Sequence, residues 1–269
     1  LYKASDMIKS SNLFWDKYHD NNIGKSSLTT SSSDRIDGVY AYKTLSVILR
    51  HISFDDLKNS TLLDYGCGTG RLSKLLAPYC KKIICADVSE NFLNSAKQEL
   101  DGFENIQYEL LVPGKEIDLL NNSIDLCFSY AAINYTTESG FWHAIYEIDR
   151  VSKNFCIQIS SPNEVFDADH TDDNINLKFN NAKGYRPNIS TLQKKYPSNQ
   201  YIYENLEPDT RGKELFFYKV GVENLNLYQK CGIHVLNSAH VNREPVRFLD
   251  AFSLTRKLFF KAIKRRFLS

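Results

Sequence analysis

The sequence predicts an α/β protein with a doubly wound, mostly parallel sheet, and two observations support this prediction. Between residues 61 and 160, short apolar runs typical of buried strands alternate with segments in which apolar residues recur every three or four positions. Because parallel strands need helical crossovers, this alternation predicts helices on both faces of the sheet. The chain of 269 residues is 42% hydrophobic, which is enough for one large domain with additions.

The predicted elements follow in chain order. The strands are TLLDY, KKIICAD, NIQYELLV, SIDLCFSY, NFCIQIS and, after a long interruption, IHVLNSAHV. A helix from Ile36 to Ile52 precedes the first strand, and Pro78 ends the helix that follows it. Ser89 is the expected cap of the next helix. The segments SGFWHAIYEIDRV and GVENLNLYQKCG supply the last two predicted helices, and Gly232 ends the second of them.

The pattern also divides the chain into five parts. Residues 161–214 interrupt the alternation with acids, asparagines and prolines. A segment of this length without periodicity is expected either to cover an active site or to be partly disordered, and we interpret it as an inserted substrate lid. The other parts are an N-terminal helical lid segment (1–55), the core (56–160), the end of the core (215–241) and a basic amphipathic tail (242–269).

Charge and cysteine usage exclude some classes of protein. The formal charge of +1 argues against a protein built mainly to hold nucleic acid, although a local basic patch stays open. The six cysteines contain no C-x-x-C pair, which indicates a reducing, cytosolic compartment. No apolar run approaches the length of a membrane span, and the first residues lack the apolar block of a signal peptide.

The stretch LLDYGCGTGRLSKLL carries the most specific signal. Gly66, Gly68 and Gly70 follow the first predicted strand, at the edge where open parallel sheets bind ligands. Arg71 stands where a dinucleotide fingerprint requires a small residue, which argues against NAD or FAD. Asp64 would repel a pyrophosphate but suits a cationic ligand. The stretch therefore predicts a nucleotide-like ligand that carries positive charge.

Asp87 adds the second part of this argument. It ends the second predicted strand, where a carboxylate can accept hydrogen bonds from both hydroxyls of a ribose. The expected ligand thus has a ribose at one end and a positive charge near the glycines. S-adenosylmethionine has both features.

These residues also resemble a known family. LLDYGCGTGRLSKLL and ICADVSENFLNSAK resemble the first two motifs of the class I S-adenosylmethionine-dependent methyltransferases, and NNSIDLCFSYAAINY and AIYEIDRVSKNFCIQIS are similar to the regions of its fourth and fifth strands. FYKVGVENLNLYQKCGIHVL resembles the closing helix and strand of members that act on small molecules. The resemblance implies a seven-stranded Rossmann-like sheet, an inserted lid, methyltransferase activity and S-adenosylmethionine as cofactor.

Carried over position by position, the resemblance implies a set of cofactor-binding residues. The methionine end would be held by Asp64, Gly66, Cys67, Gly68 and Gly70. Asp87 would bind the ribose, Val88 would cover one face of the adenine, and Ser129 would lie at the mouth of the methyl channel. The family usually has an acid near the adenine amine, but Leu111 and Val112 stand there, so backbone groups would have to replace it.

The acceptor side is less determined, because methyl transfer mainly requires alignment, and only a hydroxyl acceptor needs a base. The candidate catalytic residues are Tyr130, Asn134, Tyr135, His143, His19 and His170. A lone histidine on a packed helix is more often structural, which applies to His143. The acidic segment DADHTDD lacks the glycine of a calcium loop, so we expect no metal there.

These observations predict methyl transfer to the oxygen or nitrogen of a small metabolite, sugar or glycan. Two alternatives stay open: an RNA methyltransferase acting on a cap or a transfer-RNA base, and a non-catalytic member that keeps the fold as a binding partner. Residues 250–268 interleave basic and apolar side chains, which suits a membrane surface, a protein partner or packing on the domain. We therefore expect a cytoplasmic protein, or one that is peripheral at a membrane.

Overall fold

The computed structural model describes residues 15–16, 54–160, 185–187, 189–197, 201–206 and 214–219. The strands are β1 (Thr61–Tyr65), β2 (Lys82–Asp87), β3 (Ile106–Leu110), β4 (Ile124–Ser129), β5 (Ser152–Ser160), β6 (Tyr201–Leu206) and β7 (Glu214–Lys219). The helices are α1 (Phe54–Leu57), α2 (Arg71–Leu76), α3 (Glu90–Glu99), α4 (Glu138–Val151) and α5 (Ile189–Lys195), with 3₁₀ turns at Ala77–Tyr79 and Ile133–Tyr135.

Within the described ranges the strands form one sheet in the order β3-β2-β1-β4-β5-β7-β6. Strands β1 to β5 pair in parallel, whereas β7 is antiparallel to both β5 and β6. The predicted mixed α/β fold with a mostly parallel sheet is therefore confirmed. The order reverses between β1 and β4, and this switch point is where such sheets open a crevice at the carboxyl ends of their strands.

Alternating residues of the strands build two apolar layers. Leu62 belongs to a buried cluster with Leu72 of α2 and Leu93 of α3. Its neighbour Leu63 belongs to a second cluster, which includes Ile145 of α4 and part of α5. Because successive side chains of a strand point to opposite faces, α2 and α3 cover one face of the sheet and α4 and α5 cover the other.

The two longest helices begin at side-chain caps. Ser89 accepts a hydrogen bond from the backbone N–H of Phe92 at the start of α3, as the sequence predicts. Thr137 accepts from the backbone N–H of Gly140 at the start of α4. Arg150 lies in the last turn of α4, where a cation is favourable to the helix dipole.

The structure differs from the sequence pattern after residue 160. Helix α5 and strand β6 lie inside the range 161–214, to which the pattern assigned no regular structure. Strand β6 is an edge strand that pairs with β7, and Tyr201 packs against Phe217 with ring centroids 5.4 Å apart. At least this part of the range belongs to the core, while its role as a lid stays a prediction.

Several predicted elements lie outside the described residues. They are the helix at 36–52, the helix and strand between residues 221 and 241, and the tail at 242–269. Among the residues that are described, no helix combines the length and the apolar composition needed to cross a bilayer.

Candidate functional site

An open cleft lies at the carboxyl ends of β1, β2 and β4, between the loop after β3 and helix α4. It contains about 990 Å³ of empty space, part of it open to solvent. Eight of the residues singled out in the sequence line it: Gly66, Gly68, Asp87, Val88, Leu111, Val112, Tyr135 and His143. The glycine turn, the second-strand acid and the loop after β3 therefore meet in one place.

The backbone of the glycine turn has a conformation that residues other than glycine rarely adopt. The φ angles of Gly66, Gly68 and Gly70 are +77°, +55° and +78°. The N–H groups of Gly66 and Cys67 both donate to the carbonyl of Ala86, at 2.7 and 3.0 Å. A Cβ atom at Gly66 would lie 2.2 Å from the Cβ of Ala132, so the turn and the segment after β4 approach too closely for any side chain at this position.

Gly70 and Cys67 contribute to packing and do not line the cleft. A Cβ atom at Gly70 would lie 2.7 Å from Cδ1 of Leu100, so this glycine allows α2 to pack against α3. The Cys67 thiol is 6% exposed and lies 3.5 Å from the carbonyl oxygen of Gly68. Neither residue lines the cleft. Their contact with the methionine end of a cofactor therefore stays a prediction.

Asp87 is a buried carboxylate that two backbone N–H groups hold in place. It is 7% exposed, and its two oxygens accept hydrogen bonds from the backbone N–H groups of Gly68 (2.9 Å) and Ser89 (3.0 Å). Burial raises the pKa of Asp87 to about 6, although these hydrogen bonds oppose the rise. An ionised carboxylate offers about four lone-pair positions, so acceptor capacity remains for ligand hydroxyls.

Asp64 points to the other face of the sheet. It follows Leu63 on β1, and the alternation of the strand directs its side chain toward α2, where the Ser73 hydroxyl donates to it at 2.7 Å. Asp64 is 3% exposed and does not line the cleft. Within the described structure this carboxylate fastens β1 to α2, and its predicted contact with a cationic ligand stays a prediction.

Burial raises the pKa of Asp64 to about 7, against its ordinary value of 3.8. The bound proton stabilises the folded state fully below pH 4, and this stabilisation, of roughly 4 kcal/mol at most, is lost as pH rises toward 7. We expect Asp64→Asn, which keeps an acceptor for Ser73, to gain stability relative to the wild type between pH 4 and 7. Urea unfolding of both proteins across this range checks the prediction, and a difference that is independent of pH would contradict it.

The residues after β4 divide into buried and cleft-lining groups. Ser129 and Asn134 are 2% and 0% exposed, and neither lines the cleft. The hydroxyl of Ser129 and both amide atoms of Asn134 have no hydrogen-bond partner in the described structure. Tyr130 packs against the cluster that contains α2 and α3. Of the predicted acceptor-side residues, Tyr135 and His143 are the ones that face the cleft, while His19 and His170 lie outside the described residues.

Trp15 is a cleft residue that the sequence interpretation missed. It lines the cleft and meets the ring of Tyr135 edge-on, with centroids 5.7 Å apart. The adjacent Asp16 accepts hydrogen bonds from the Ser89 hydroxyl (2.5 Å) and the Asn91 N–H (3.3 Å), at the start of α3. The only signal in the sequence was the aromatic composition of SNLFWDKYHDNN, which does not reveal which residue faces a ligand.

His143 and Glu147 enter the cleft from α4. Nε2 of His143 lies 2.9 Å from the carbonyl oxygen of Lys115, and since a carbonyl only accepts, this nitrogen must carry the hydrogen. Nδ1 is then the ring atom that could act as a base. Glu147 is 1% exposed and accepts from the N–H of Ile117 at 2.8 Å. The sequence interpretation missed Glu147, because an acid on a helix normally faces solvent.

Comparisons with known proteins agree with this geometry. Residues 62–154 match the model of a family described as a methyltransferase domain. A malonyl-[acyl-carrier protein] O-methyltransferase from Hamiltonella defensa is 29% identical over 36% of this chain and 38% of its own length. Phosphoethanolamine N-methyltransferase 1 from Caenorhabditis elegans is 25% identical over 46% of this chain and 25% of its own. The chain thus spans well under half the length of these curated relatives.

Solved structures share the fold at lower identity. Haemonchus contortus phosphoethanolamine N-methyltransferase 1, in complex with phosphoethanolamine and S-adenosylhomocysteine, aligns with 99% of this chain and 57% of its own at a TM-score of 0.60 and 16% identity. Magnesium protoporphyrin IX methyltransferase from Synechocystis PCC 6803 aligns with 82% of this chain and 100% of its own at a TM-score of 0.60 and 13% identity. The predicted resemblance to the class I methyltransferases is confirmed.

Proposed function

We propose that this protein is an S-adenosylmethionine-dependent methyltransferase that acts on a small-molecule acceptor. The observation that carries the proposal is Asp87, a buried carboxylate oriented by the N–H groups of Gly68 and Ser89 at the floor of the cleft. It stands beside a glycine turn in which a Cβ atom at Gly66 would collide with Ala132. A carboxylate and an exposed backbone in this arrangement suit a ribose and the chain attached to its 5′ carbon.

We infer that lining residues of the cleft would contact the cofactor along its whole length. The backbone of Gly66 and Gly68 would lie against the methionine part, and Asp87 would accept hydrogen bonds from the ribose hydroxyls. Val88 and Leu111 would enclose the adenine, since both line the cleft where β2 and β3 end. This assignment keeps six of the ten cofactor residues that the sequence predicts, and it leaves Asp64, Cys67, Gly70 and Ser129 in supporting positions.

When bound, S-adenosylmethionine supplies an activated methyl group for in-line displacement, so the protein mainly aligns the nucleophile and excludes water. Trp15, Ile133 and Tyr135 line the cleft on the side of the segment after β4, and their apolar surfaces would exclude water from an acceptor. A hydroxyl acceptor would need to lose a proton, and Nδ1 of His143 is a candidate base.

Two flanking segments would complete the site. We infer that residues 1–55 close over the cleft, which is supported by the contacts of Trp15 with Tyr135 and of Asp16 with Ser89. The range 161–214 would contribute a further cover, because Tyr185 donates its N–H to the carbonyl of Thr136, a cleft-lining residue. The tail at 250–268 is proposed as a contact for a membrane or a protein.

The proposed acceptor class rests on the lining of the cleft. Lys115 and His143 are the basic side chains among its described lining residues, and the acids Asp87 and Glu147 also line it. Channels for single-stranded nucleic acid are markedly basic, so this balance favours a small acceptor over RNA. The two curated relatives are named for malonyl-[acyl-carrier protein] and for phosphoethanolamine, and neither name includes a nucleic acid, which agrees with a small metabolite, sugar or glycan as the acceptor class.

Incubation of the full chain with methyl-labelled S-adenosylmethionine tests the proposal. The acceptor panel contains malonyl thioesters, phosphoethanolamine, sugars and structured RNA. We expect label to be transferred to a small molecule. Transfer to RNA alone would overturn the acceptor class, and donor binding without transfer to any acceptor would favour a non-catalytic role.

A further inference from the structure

Three polar residues on one face of α4 hold the loop that follows β3. His143, Glu147 and Arg150 are spaced at four and three positions, so they form a single stripe along the helix. All three contact backbone groups of residues 115–119. The stripe therefore joins a helix on one side of the cleft to a loop on the other.

Arg150 makes the largest number of these contacts. Its guanidinium donates to the carbonyls of Ile117 (2.9 Å) and Leu119 (2.8 Å) and to the side-chain oxygen of Asn121 (2.9 Å). The rigid, planar arrangement of five N–H groups suits several acceptors at fixed positions, which a lysine cannot reproduce. One side chain thus determines the path of the loop over several residues.

Glu147 orients this arginine and binds the loop as well. Its carboxylate accepts from Nη2 of Arg150 at 2.6 Å and from Nε at 3.0 Å. The same carboxylate accepts from the N–H of Ile117. Burial acts to raise the pKa of Glu147, but the hydrogen bonds from Arg150 and Ile117 outweigh it and hold the pKa below its usual value. A buried carboxylate with these partners is a fixed charge.

The loop forms the wall of the cleft at the base end of the ligand. Leu111 donates its N–H to the carbonyl of Asp87 at 2.8 Å, so the loop starts directly beside the proposed ribose contact. Residues 111–115 and Ile117 line the cleft. A nucleoside whose ribose lies on Asp87 must place its base against this wall, because β3 is the next strand outward from β2.

We propose that His143, Glu147 and Arg150 are positioning residues for the base of the cofactor: they hold the 111–121 loop in the shape that selects adenine. This inference rests on the proposed function. The sequence carries Leu111 and Val112 instead of an acid after β3, so recognition of the adenine amine falls to the backbone of the loop. Backbone groups select a base only where the loop is held in one conformation.

The test measures the affinities of the full chain for S-adenosylhomocysteine and for S-inosylhomocysteine, in which an oxo group replaces the adenine amine. We expect the wild type to prefer the adenine ligand by at least about tenfold, because a site built for a hydrogen-bond donor rejects its absence. Arg150→Lys is expected to reduce this preference to about twofold or less, since it keeps the charge but loses the fork that holds the loop. His143→Leu should act in the same direction, and His143→Gln, which retains an N–H donor, should restore part of it.

Lys219→Met is the matched control. Lys219 pairs with Asp149 at 2.8 Å and donates to the carbonyls of Asp149 and Ser152, near the far end of α4 and outside the cleft lining. The substitution Lys219→Met should lower the melting temperature of the protein without changing its preference for the adenine ligand. If Arg150→Lys leaves the preference intact, or if the wild type shows no preference, the inference is wrong while the proposed function stands. If the wild type binds neither ligand, the proposed function fails as well.

Discussion

Asp87→Asn is expected to weaken the binding of S-adenosylhomocysteine by roughly 100-fold. Hydrogen bonds to a charged acceptor contribute about 1.5 to 3 kcal/mol each, and the substitution removes the charge that two ribose hydroxyls would share. The amide NH2 of the new side chain would also face the N–H of Gly68 or of Ser89, where two donors repel. Isothermal titration calorimetry measures the effect.

Asp101→Asn supplies the control for this prediction. Asp101 is an exposed acid in the turn after α3 and does not line the cleft, so the substitution changes the net charge by the same amount. Its affinity for S-adenosylhomocysteine should equal that of the wild type. If Asp87→Asn binds within about threefold of the wild type, the ribose assignment is wrong, because so small a change is below the value of one charged hydrogen bond.

Gly66→Ala is expected to abolish cofactor binding and to destabilise the fold by roughly 3 kcal/mol. The new Cβ would lie 2.2 Å from Ala132, and this overlap adds to the strain of a positive φ. Relief would require the glycine turn and the segment after β4 to separate, which would displace two walls of the cleft. Chemical denaturation and calorimetry measure the two effects separately.

Gly102→Ala is the control that separates the steric clash of a new Cβ atom from the strain of a positive φ angle. Gly102 has φ +90°, and a Cβ atom there would meet nothing within 4 Å. Only the backbone penalty of about 1 kcal/mol applies, and the cleft is unaffected. If Gly66→Ala and Gly102→Ala lose similar amounts of stability, the close approach between Gly66 and Ala132 does not constrain the site as the structure indicates.

The sequence predicts the parallel half of the fold well, because its signals are local. Strands β1, β2 and β4 contain short apolar runs, as is typical of strands covered on both faces, and each of the first five strands occurs where it is predicted. Strands β6 and β7 were not assigned, since YIYENL and the start of ELFFYK lie in the range 161–214, whose acids, asparagines and prolines interrupt the alternating pattern. An antiparallel edge pair of this kind is defined by its partner strand and leaves little local pattern.

The residues of the candidate site also fall into those that local sequence signals predict and those that they do not. The positions of Gly66, Gly68 and Asp87 at the cleft could be predicted, because backbone conformation and strand ends can be inferred from neighbouring residues. The direction of the Asp64 side chain toward α2 could not be predicted from the spacing alone, since one position along a strand reverses the direction of a side chain. Trp15 and Glu147 were missed because their contacts join segments that are far apart in the chain, which no local pattern encodes.

A crystal structure of the full chain with S-adenosylhomocysteine tests the central claim most directly. We expect both ribose hydroxyls at about 2.6 to 3.2 Å from the carboxylate oxygens of Asp87. The adenine should lie between Val88 and the loop that begins at Leu111, with the homocysteine part along the backbone of Gly66 and Gly68. A ligand bound elsewhere, or a ribose without contact to Asp87 at saturating concentration, would contradict the assignment of this cleft as the cofactor site.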